Sequence, residues 1–415
     1  MNAVGIHVFA GAMSCGVQRV MPVTRQLEVH ALGRETAERV WGIPVHQSSY
    51  EEWPDVQGCF CFGNPRCTAF SSLTGGLSSA SHGAFAKQTV DARQFCEYSA
   101  GRFDVCAWES VQQAYSTGKP FLDEMTRLHF APKGYRICHV LMNVASFGSS
   151  QLRKRYFYVA YRDGLTFNVD PPAIPSTFHA TLWDAIGHWR EDPGQPWHPS
   201  QGDCPPDGYT RLSDDEMHVL PKLPTGWSLN ALAAYNYDCL APNQKAIFDR
   251  KKSNKPFSLH CIRRLAWCVW SPTIHSGVKR WIHPELNRPL TLREVCAIAG
   301  WPEGKYPVGP DPFEQVAKGV CPDAGEWIAQ QAAKCLNNGW SDDWESRYDA
   351  DESEWVGETT RGQLEKTFDL TQYYGRSYDL ERFPDEIQYS VKLFNVRSNG
   401  TLEKPWREIT KRYWE

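Results

Sequence analysis

Cys67 stands just past a short apolar run, Gly58-Cys59-Phe60-Cys61-Phe62, within the segment Gly63-Asn64-Pro65-Arg66-Cys67-Thr68-Ala69-Phe70-Ser71. Such a run reads as a buried strand. A cysteine after it sits where a parallel strand delivers residues to the rim of an α/β sheet, the usual place for chemistry. Val105-Cys106-Ala107-Trp108-Glu109-Ser110-Val111 repeats the pattern with a lone carboxylate, Glu109, at its end. Gln151-Leu152-Arg153-Lys154-Arg155 opens a third apolar strand over residues 156–161. A thiol, a carboxyl and two guanidiniums on one sheet edge make a reaction centre. The sulfur is a nucleophile, cations favour its thiolate form, and the carboxyl can hold or donate a proton. Singly, each has a plainer reading: Cys67 as a packed thiol, Glu109 as a helix cap. Jointly they favour chemistry.

The elements that must position these groups show in the periodicity. Residues 4–164 alternate apolar strands, the first over 4–9, with helical patterns at 34–40 and 119–129. That alternation predicts an α/β fold with a parallel sheet wrapped by helices. From Asp170-Pro171-Pro172 to about residue 282 the chain is rich in Pro, Gly and Trp, with turn signals at Asp192-Pro193-Gly194 and Pro205-Pro206-Asp207-Gly208. This predicts an inserted, mostly irregular domain. Helical patterns return at 292–299 and 324–336, and an acidic run follows from Asp342 to Glu358. The expected division is 1–165 plus 283–337 as one domain, 166–282 as the insert, and 338–415 as an acidic, aromatic extension. The extension is either a contact for another protein or a solvated tail.

At 415 residues the chain has room for two or three domains, and 41% hydrophobic content excludes a disordered protein. Neither a membrane-length apolar run nor a basic-then-apolar leader occurs, which predicts a soluble intracellular protein. Fourteen cysteines include Cys59, Cys61 and Cys106 inside apolar strands, without a Cys-x-x-Cys pair. Reduced core thiols are expected, and no metal site. A net charge of −4 confines any nucleic-acid face to a local patch. The candidate is the cluster Lys245, Arg250, Lys251, Lys252, Lys255, Arg263 and Arg264 in the insert. Its plain alternative is a solvated face.

In linear order, these segments resemble the motifs of DNA (cytosine-5) methyltransferases. Val8-Phe9-Ala10-Gly11-Ala12 is similar to the first, cofactor-loop motif. Pro65, Cys67, Phe70 and Ser71 match the nucleophile motif, and Asp91-Ala92-Arg93 the short motif after it. Glu109-Ser110-Val111 resembles Glu-Asn-Val, and Gln151, Arg153 and Arg155 fit Gln-x-Arg-x-Arg. Residues 288–294 and Ala317-Lys318-Gly319-Val320 look like the last two motifs. The resemblance spans residues 4 to about 335. It implies a Rossmann-like S-adenosylmethionine-dependent methyltransferase sheet with an inserted target-recognition domain, in a cytoplasmic enzyme of a bacterial host or phage. The partner is double-stranded DNA and no membrane.

By the same resemblance, Cys67 adds to C6 of a flipped-out cytosine, Glu109 protonates N3, and Arg153 and Arg155 hold the base. Phe9, Ala10, Gly11, Ser14, Pro65, Lys318 and Gly319 surround the cofactor. Residues 72–88 form a closing loop.

The departures gather on the cofactor side. Met13-Ser14 replaces Gly-Gly, narrowing the backbone approach. The acid expected to hold the ribose falls on Leu32, and the adenine-side aspartate on Gln47 or Ser48. Arg66 replaces a proline, Ser110 an asparagine, and Lys318 an asparagine beside the cofactor's methionine portion. Lys318 either snorkels to solvent or pairs with an acid, leaving methyl transfer from S-adenosylmethionine. Otherwise it binds the extra carboxylate of carboxy-S-adenosylmethionine, giving 5-carboxymethylcytosine. A third reading is a DNA-binding relative without catalysis, which the intact Cys67, Glu109 and Arg155 set opposes.

Overall fold

A computed structural model describes residues 1–47, 49–70, 82–147, 149–167, 181–229, 232–233, 236–252, 262–267, 270–275, 281–338 and 364–368. Its centre is an eight-stranded sheet. In chain order the strands are β1 (Ala3–Ile6), β2 (Val23–Glu28), β3 (Val45–Gln47), β4 (Gly58–Gly63), β5 (Phe103–Val111), β6 (Tyr135–Asn143), β7 (Lys154–Arg162) and β8 (Leu364–Phe368). Across the sheet they run β8-β6-β7-β5-β4-β1-β2-β3. Pairing is parallel except at β7, which lies antiparallel between β5 and β6. The expected parallel sheet is therefore mixed. β7 enters as a reversed strand because only a short loop, with no crossover helix, separates it from β6.

Strand order reverses between β1 and β4, the switch point at which α/β sheets open a crevice at their carboxyl edge. The apolar runs are strands because both faces are covered. On one face Phe60, Phe62, Ala107 and Val159 pack against Trp327 and Ile328 of the helix Pro322–Asn337. On the other, Cys61, Cys106, Trp108 and Tyr158 pack against Phe95 of the helix Val90–Ser99 and Phe121 of the helix Lys119–Met125. The helix Ala12–Gln18 lies so close to Pro322–Asn337 that a Cβ on Gly16 would sit 1.8 Å from the Pro322 carbonyl oxygen. Only glycine permits that approach.

The first strand ends at Ile6, short of the expected residue 9, because His7 and Phe9 take left-handed backbone angles (φ 52° and 54°). Within 166–282 the described elements are short: helices Leu182–Ile186, Asp214–Val219 and Pro242–Lys252 and strands of two or three residues. A separate apolar cluster holds Leu212, Val219, Trp227, Leu240 and Ile262. Leu182, Trp197 and Cys204 instead share a core with Leu292, Val295 and Phe313. The early part of the insert thus packs with the helices that follow it in sequence. In the 338–415 extension only β8 is described, pairing with β6 as an added edge strand.

Candidate active site

Register builds the centre of the site. β4 and β5 run parallel with Gly63 opposite Trp108, so both chains leave the sheet together at one edge. Glu109 is the next residue of β5, and Cys67 follows β4 in the loop before a short helical turn, Thr68–Phe70. In the antiparallel pair, Val111 faces Arg155 and Glu109 faces Phe157. Side chains two apart share a face of a strand, so Glu109 and Arg155 meet diagonally. Arg155 Nε lies 2.6 Å from Glu109 Oε1, with 12% and 3% of the two side chains exposed.

Burial raises the Glu109 carboxyl above the usual range, and Arg155 and Arg153 only partly offset it. Burial also pushes the Cys67 thiol up. The Glu109 charge adds to that rise, while Arg155 and then Arg153 oppose it. Each group therefore feels the others' charge. An acid raised by burial, a thiol that feels a guanidinium, and a shared edge are the parts needed for covalent addition with proton transfer.

Arg153 sits differently. Its side chain is buried and donates to the carbonyls of Ala317 (2.8 Å), Gly319 (2.9 Å) and Ile274 (3.3 Å). Desolvation, reinforced by Arg155, lowers its pKa to about 9. Gln151 Oε1 accepts from Ile274 N, and Ser271-Pro272 pairs in parallel with Gln151-Leu152. The first two residues of Gln-x-Arg-x-Arg thus fasten the end of the insert and residues 317–319 to the sheet. Arg155 is the one that faces Glu109.

The cofactor-side expectations fare unevenly. Ser14, expected at the cofactor, is fully buried, and its hydroxyl donates to Gln26 Oε1 at 2.7 Å. Met13 is buried in the core with Trp327. These residues fill the interface beneath the helix Ala12–Gln18, which corrects the expectation that they crowd the backbone approach. The acid placed at Leu32 is also corrected: β2 ends on Glu28, a buried carboxylate beside the first-motif loop. Glu28 accepts from Phe9 N and His30 N, both at 2.8 Å. Burial raises its pKa, and these two backbone bonds work against the rise.

Trp41 Nε1 donates to Ala10 O at 2.8 Å, and Gly11 begins the helix with φ 75°. Pro65 is buried, and Asn64 Nδ2 donates to Lys318 O at 3.2 Å, joining the nucleophile loop to the last motif. Lys318 is half exposed and ion-paired with Glu314 on its own helix. Ser48 and the loop residues 71–81 lie outside the described residues, as does the Gln47 side chain.

A polar cluster that sequence reading missed lies at the same edge. His7, His30 and Asp91 each offer one ligand atom within 4.8 Å of the others. His30 Nε2 and Arg66 Nε both lie 3.0 Å from Asp91 Oδ2. These residues are too far apart in sequence for any spacing rule to join them.

The predicted DNA face also divides. Arg264 is buried and donates to the carbonyls of Leu220, Leu223, His283 and Leu286 and to Asn287 Oδ1, at 2.6–3.1 Å. It is an internal fastening, which corrects its place in the basic face. Arg263 beside it is exposed. Lys245 pairs with Asp238 at 3.4 Å and lies over the Tyr237 ring. Arg250, Lys251 and Lys252 extend the helix Pro242–Lys252, but their side chains, like Lys255, lie outside the described residues. In the penultimate motif, Arg288 forms a two-pronged pair with Glu294 (2.8 and 2.9 Å) and reaches Asp192 O, which ties that motif to the insert.

A family model described as C-5 cytosine-specific DNA methylase matches residues 119–334. That span contains Arg153 and Arg155 but begins beyond Cys67 and Glu109. The Type II methyltransferase M1.HphI of Haemophilus parahaemolyticus is 24% identical over 216 residues, covering 50% of this chain and 51% of that protein. The chain thus spans about half the length of this curated relative. A crystal structure of a putative DNA modification methyltransferase encoded within an E. coli prophage matches with a TM-score of 0.57 and 15% identity, over 81% of this chain and 99% of the other. The methyltransferase EhMeth of Entamoeba histolytica matches with a TM-score of 0.52 and 8% identity, over 81% and 98%. At these identities the two structures share the fold.

Proposed function

Because the chain belongs to the C-5 cytosine-specific DNA methylase family, we propose that it transfers a methyl group from S-adenosylmethionine to C5 of cytosine in double-stranded DNA. The observation that carries this reading is the Glu109–Arg155 pair set against Cys67 at one sheet edge.

Cytosine C5 is a poor nucleophile. Attack of the Cys67 sulfur on C6, its proton passing to water, moves the ring electrons toward C5, which can then bond an electrophilic carbon as that carbon's bond to its leaving group breaks. Glu109, whose carboxyl burial raises above the usual range, supplies a proton at N3 and prevents charge building up there. Arg155 keeps Glu109 in place and offers its cation to the base's O2. Loss of the C5 proton to water and of the N3 proton back to Glu109 then returns the electrons, and the C6–sulfur bond breaks to release Cys67. The target carbon is inaccessible inside a duplex, so the nucleotide must be flipped out.

Residues at the carboxyl ends of β1 and β2 support such a donor. Each Glu28 oxygen accepts one backbone bond and keeps a further lone pair for a ribose hydroxyl. The left-handed turn at Phe9 and the glycine start of the next helix bring backbone close to the pocket. Phe9, Ala10, Gly11, Glu28, Pro65 and Gly319 are the residues that would hold the donor, which when bound supplies an electrophilic methyl carbon on a sulfonium. Lys318, paired with Glu314, supports methyl as the group transferred. Carboxymethyl transfer would require Lys318 to leave that acid for the donor's extra carboxylate.

The basic residues of the insert, without Arg264, are the proposed phosphate contacts. Among the described residues no helix is long and apolar enough to cross a membrane; a cytoplasmic location belongs to the same proposal. Incubating the protein with DNA and each donor, then analysing nucleosides by mass spectrometry, tests it. 5-Methylcytosine is expected from the wild type and none from Cys67→Ala. Modification that survives Cys67→Ala, or that falls on adenine, would overturn it.

A further inference from the structure

We propose that His7, His30 and Asp91 form a binding site for one divalent transition-metal ion of the zinc class, in competition with the Arg66 side chain. The proposal is independent of the methyl-transfer reading and concerns residues which that chemistry leaves unused.

Three strand and helix ends bring the donors together. His7 follows β1, His30 lies two residues beyond β2, and Asp91 sits in the first turn of the helix Val90–Ser99. The ligand atoms lie within 4.8 Å of one another. Two imidazoles and one carboxylate suit zinc-class ions, with water completing the shell. Magnesium and calcium, which favour all-oxygen shells, are poorly matched.

The hydrogen bonding around these donors is incomplete without a cation. The His7 side chain is 2% exposed, and among the described residues neither ring nitrogen has a hydrogen-bond partner. Desolvating such a group unpaired is unfavourable. Its left-handed backbone, φ 52°, turns the residue away from the strand path.

His30 Nε2 faces a contradiction. It lies 3.0 Å from Asp91 Oδ2, which only accepts, and 3.0 Å from Arg66 Nη2, which only donates. Protonated, Nε2 satisfies Asp91 and opposes Arg66; unprotonated, it does the reverse. A metal ion accepts electron pairs from Nε2 and from the carboxylate together, and so removes the conflict. Arg66 now holds the cation's place on Asp91, through Nε at 3.0 Å and its backbone N at 3.4 Å. Its side chain is 57% exposed and can swing out without disturbing the core. Because Arg66 directly precedes Cys67, metal binding would reset the side chain next to the nucleophile.

The test strips the full-length protein with a chelator and titrates it with zinc ion alone, followed by calorimetry, and with cobalt(II), followed by visible spectroscopy. One equivalent is expected, with cobalt d–d bands and no thiolate-to-cobalt charge-transfer band. Arg66→Ala should bind at least about tenfold tighter, since it removes a charge-assisted competitor. His30→Gln should weaken binding by more than the about 10–100-fold that loss of an outer-sphere partner costs. Circular dichroism checks that both variants fold, and Arg66→Ala, altered at an exposed side chain, keeps the test valid should His30→Gln misfold. Absence of saturable binding in both wild type and Arg66→Ala would overturn the site. So would unchanged affinity in folded His30→Gln, or a dominant thiolate band marking cysteine as the ligand.

Discussion

The two halves of the crevice handle charge in opposite ways. Above β4, β5 and β7, Glu109 and Arg155 form one pair, and Cys67 stands nearby with its thiol raised by burial. Above β1 and β2, charge and polarity are crowded. Asp91 receives Arg66 and His30, Glu28 binds two backbone amides, and His7 has no hydrogen-bond partner among the described residues. The first half joins its charged groups through one ion pair. The second is closed on itself, with Arg66 bonded to both Asp91 and His30. A buried charge held by the protein's own carbonyls, like Arg153 or Arg264, belongs to neither kind and acts as architecture.

The largest expected effects fall on the first half. Cys67→Ser should lower cytosine methylation by about 10⁴-fold or more, because the covalent route is lost. Donor binding, measured by calorimetry, should stay close to wild type. Glu109→Gln should cost about 10²–10⁴-fold in kcat, the range for a positioned acid. Transfer of labelled methyl groups to DNA reads both. Wild-type activity in either variant would break the contrast between the halves, since the chemistry would then not need the group that was changed.

The placement of the first half's candidate residues was legible in the sequence because each lies at or just past a strand end, and strand order delivers those ends to one edge. Glu109, Cys67 and Arg155 needed no more than the ends of three apolar runs. Glu28 was missed because counting from the motif placed the acid at Leu32, whereas the strand stops on Glu28. The His7, His30 and Asp91 cluster could not be read, since only the folded sheet brings these residues together. Arg264 was misread because a run of basic residues says nothing about direction. Its neighbours held a signal: Leu265, Ala266 and Trp267 are apolar, and Arg263 and Arg264 point to opposite faces of one short strand.

Arg264→Met sharpens the distinction between architecture and interface. It strands several buried carbonyls, so stability should fall by about 3–5 kcal/mol in denaturant unfolding. Arg263→Ala should leave unfolding unchanged and reduce the salt slope of DNA binding by about 1, as loss of one phosphate contact predicts. A reversal of these two outcomes would mean that Arg264 faces DNA.

Asp91 tests whether the second half is closed as described. Burial alone would raise its carboxyl, but bonds from His30 and Arg66 and the charge of His7 hold it well below the usual range. A depressed carboxyl stabilises the fold above its unfolded value, about 3.9, and the contribution disappears as pH falls through the native value. Asp91→Asn should therefore be less stable than wild type at pH 7, with the gap narrowing as pH falls below about 4. A gap that is constant with pH would mean that the Asp91 charge plays no part in holding Arg66 and His30.

The smallest change is expected at Lys318, which lies beside the crevice yet belongs to neither half. Its ammonium is half exposed and paired with Glu314 one helical turn away, and its carbonyl, not its side chain, meets Asn64. An exposed pair of this kind contributes about 0.3–0.5 kcal/mol. Lys318→Asn keeps that carbonyl, so methylation should stay within about threefold of wild type, the factor equivalent to under 1 kcal/mol. A larger loss with S-adenosylmethionine would show that the ammonium reaches into the crevice. A loss confined to the carboxylated donor would assign Lys318 to that donor's extra charge, and the cofactor half would then be tuned by a residue outside the strand ends.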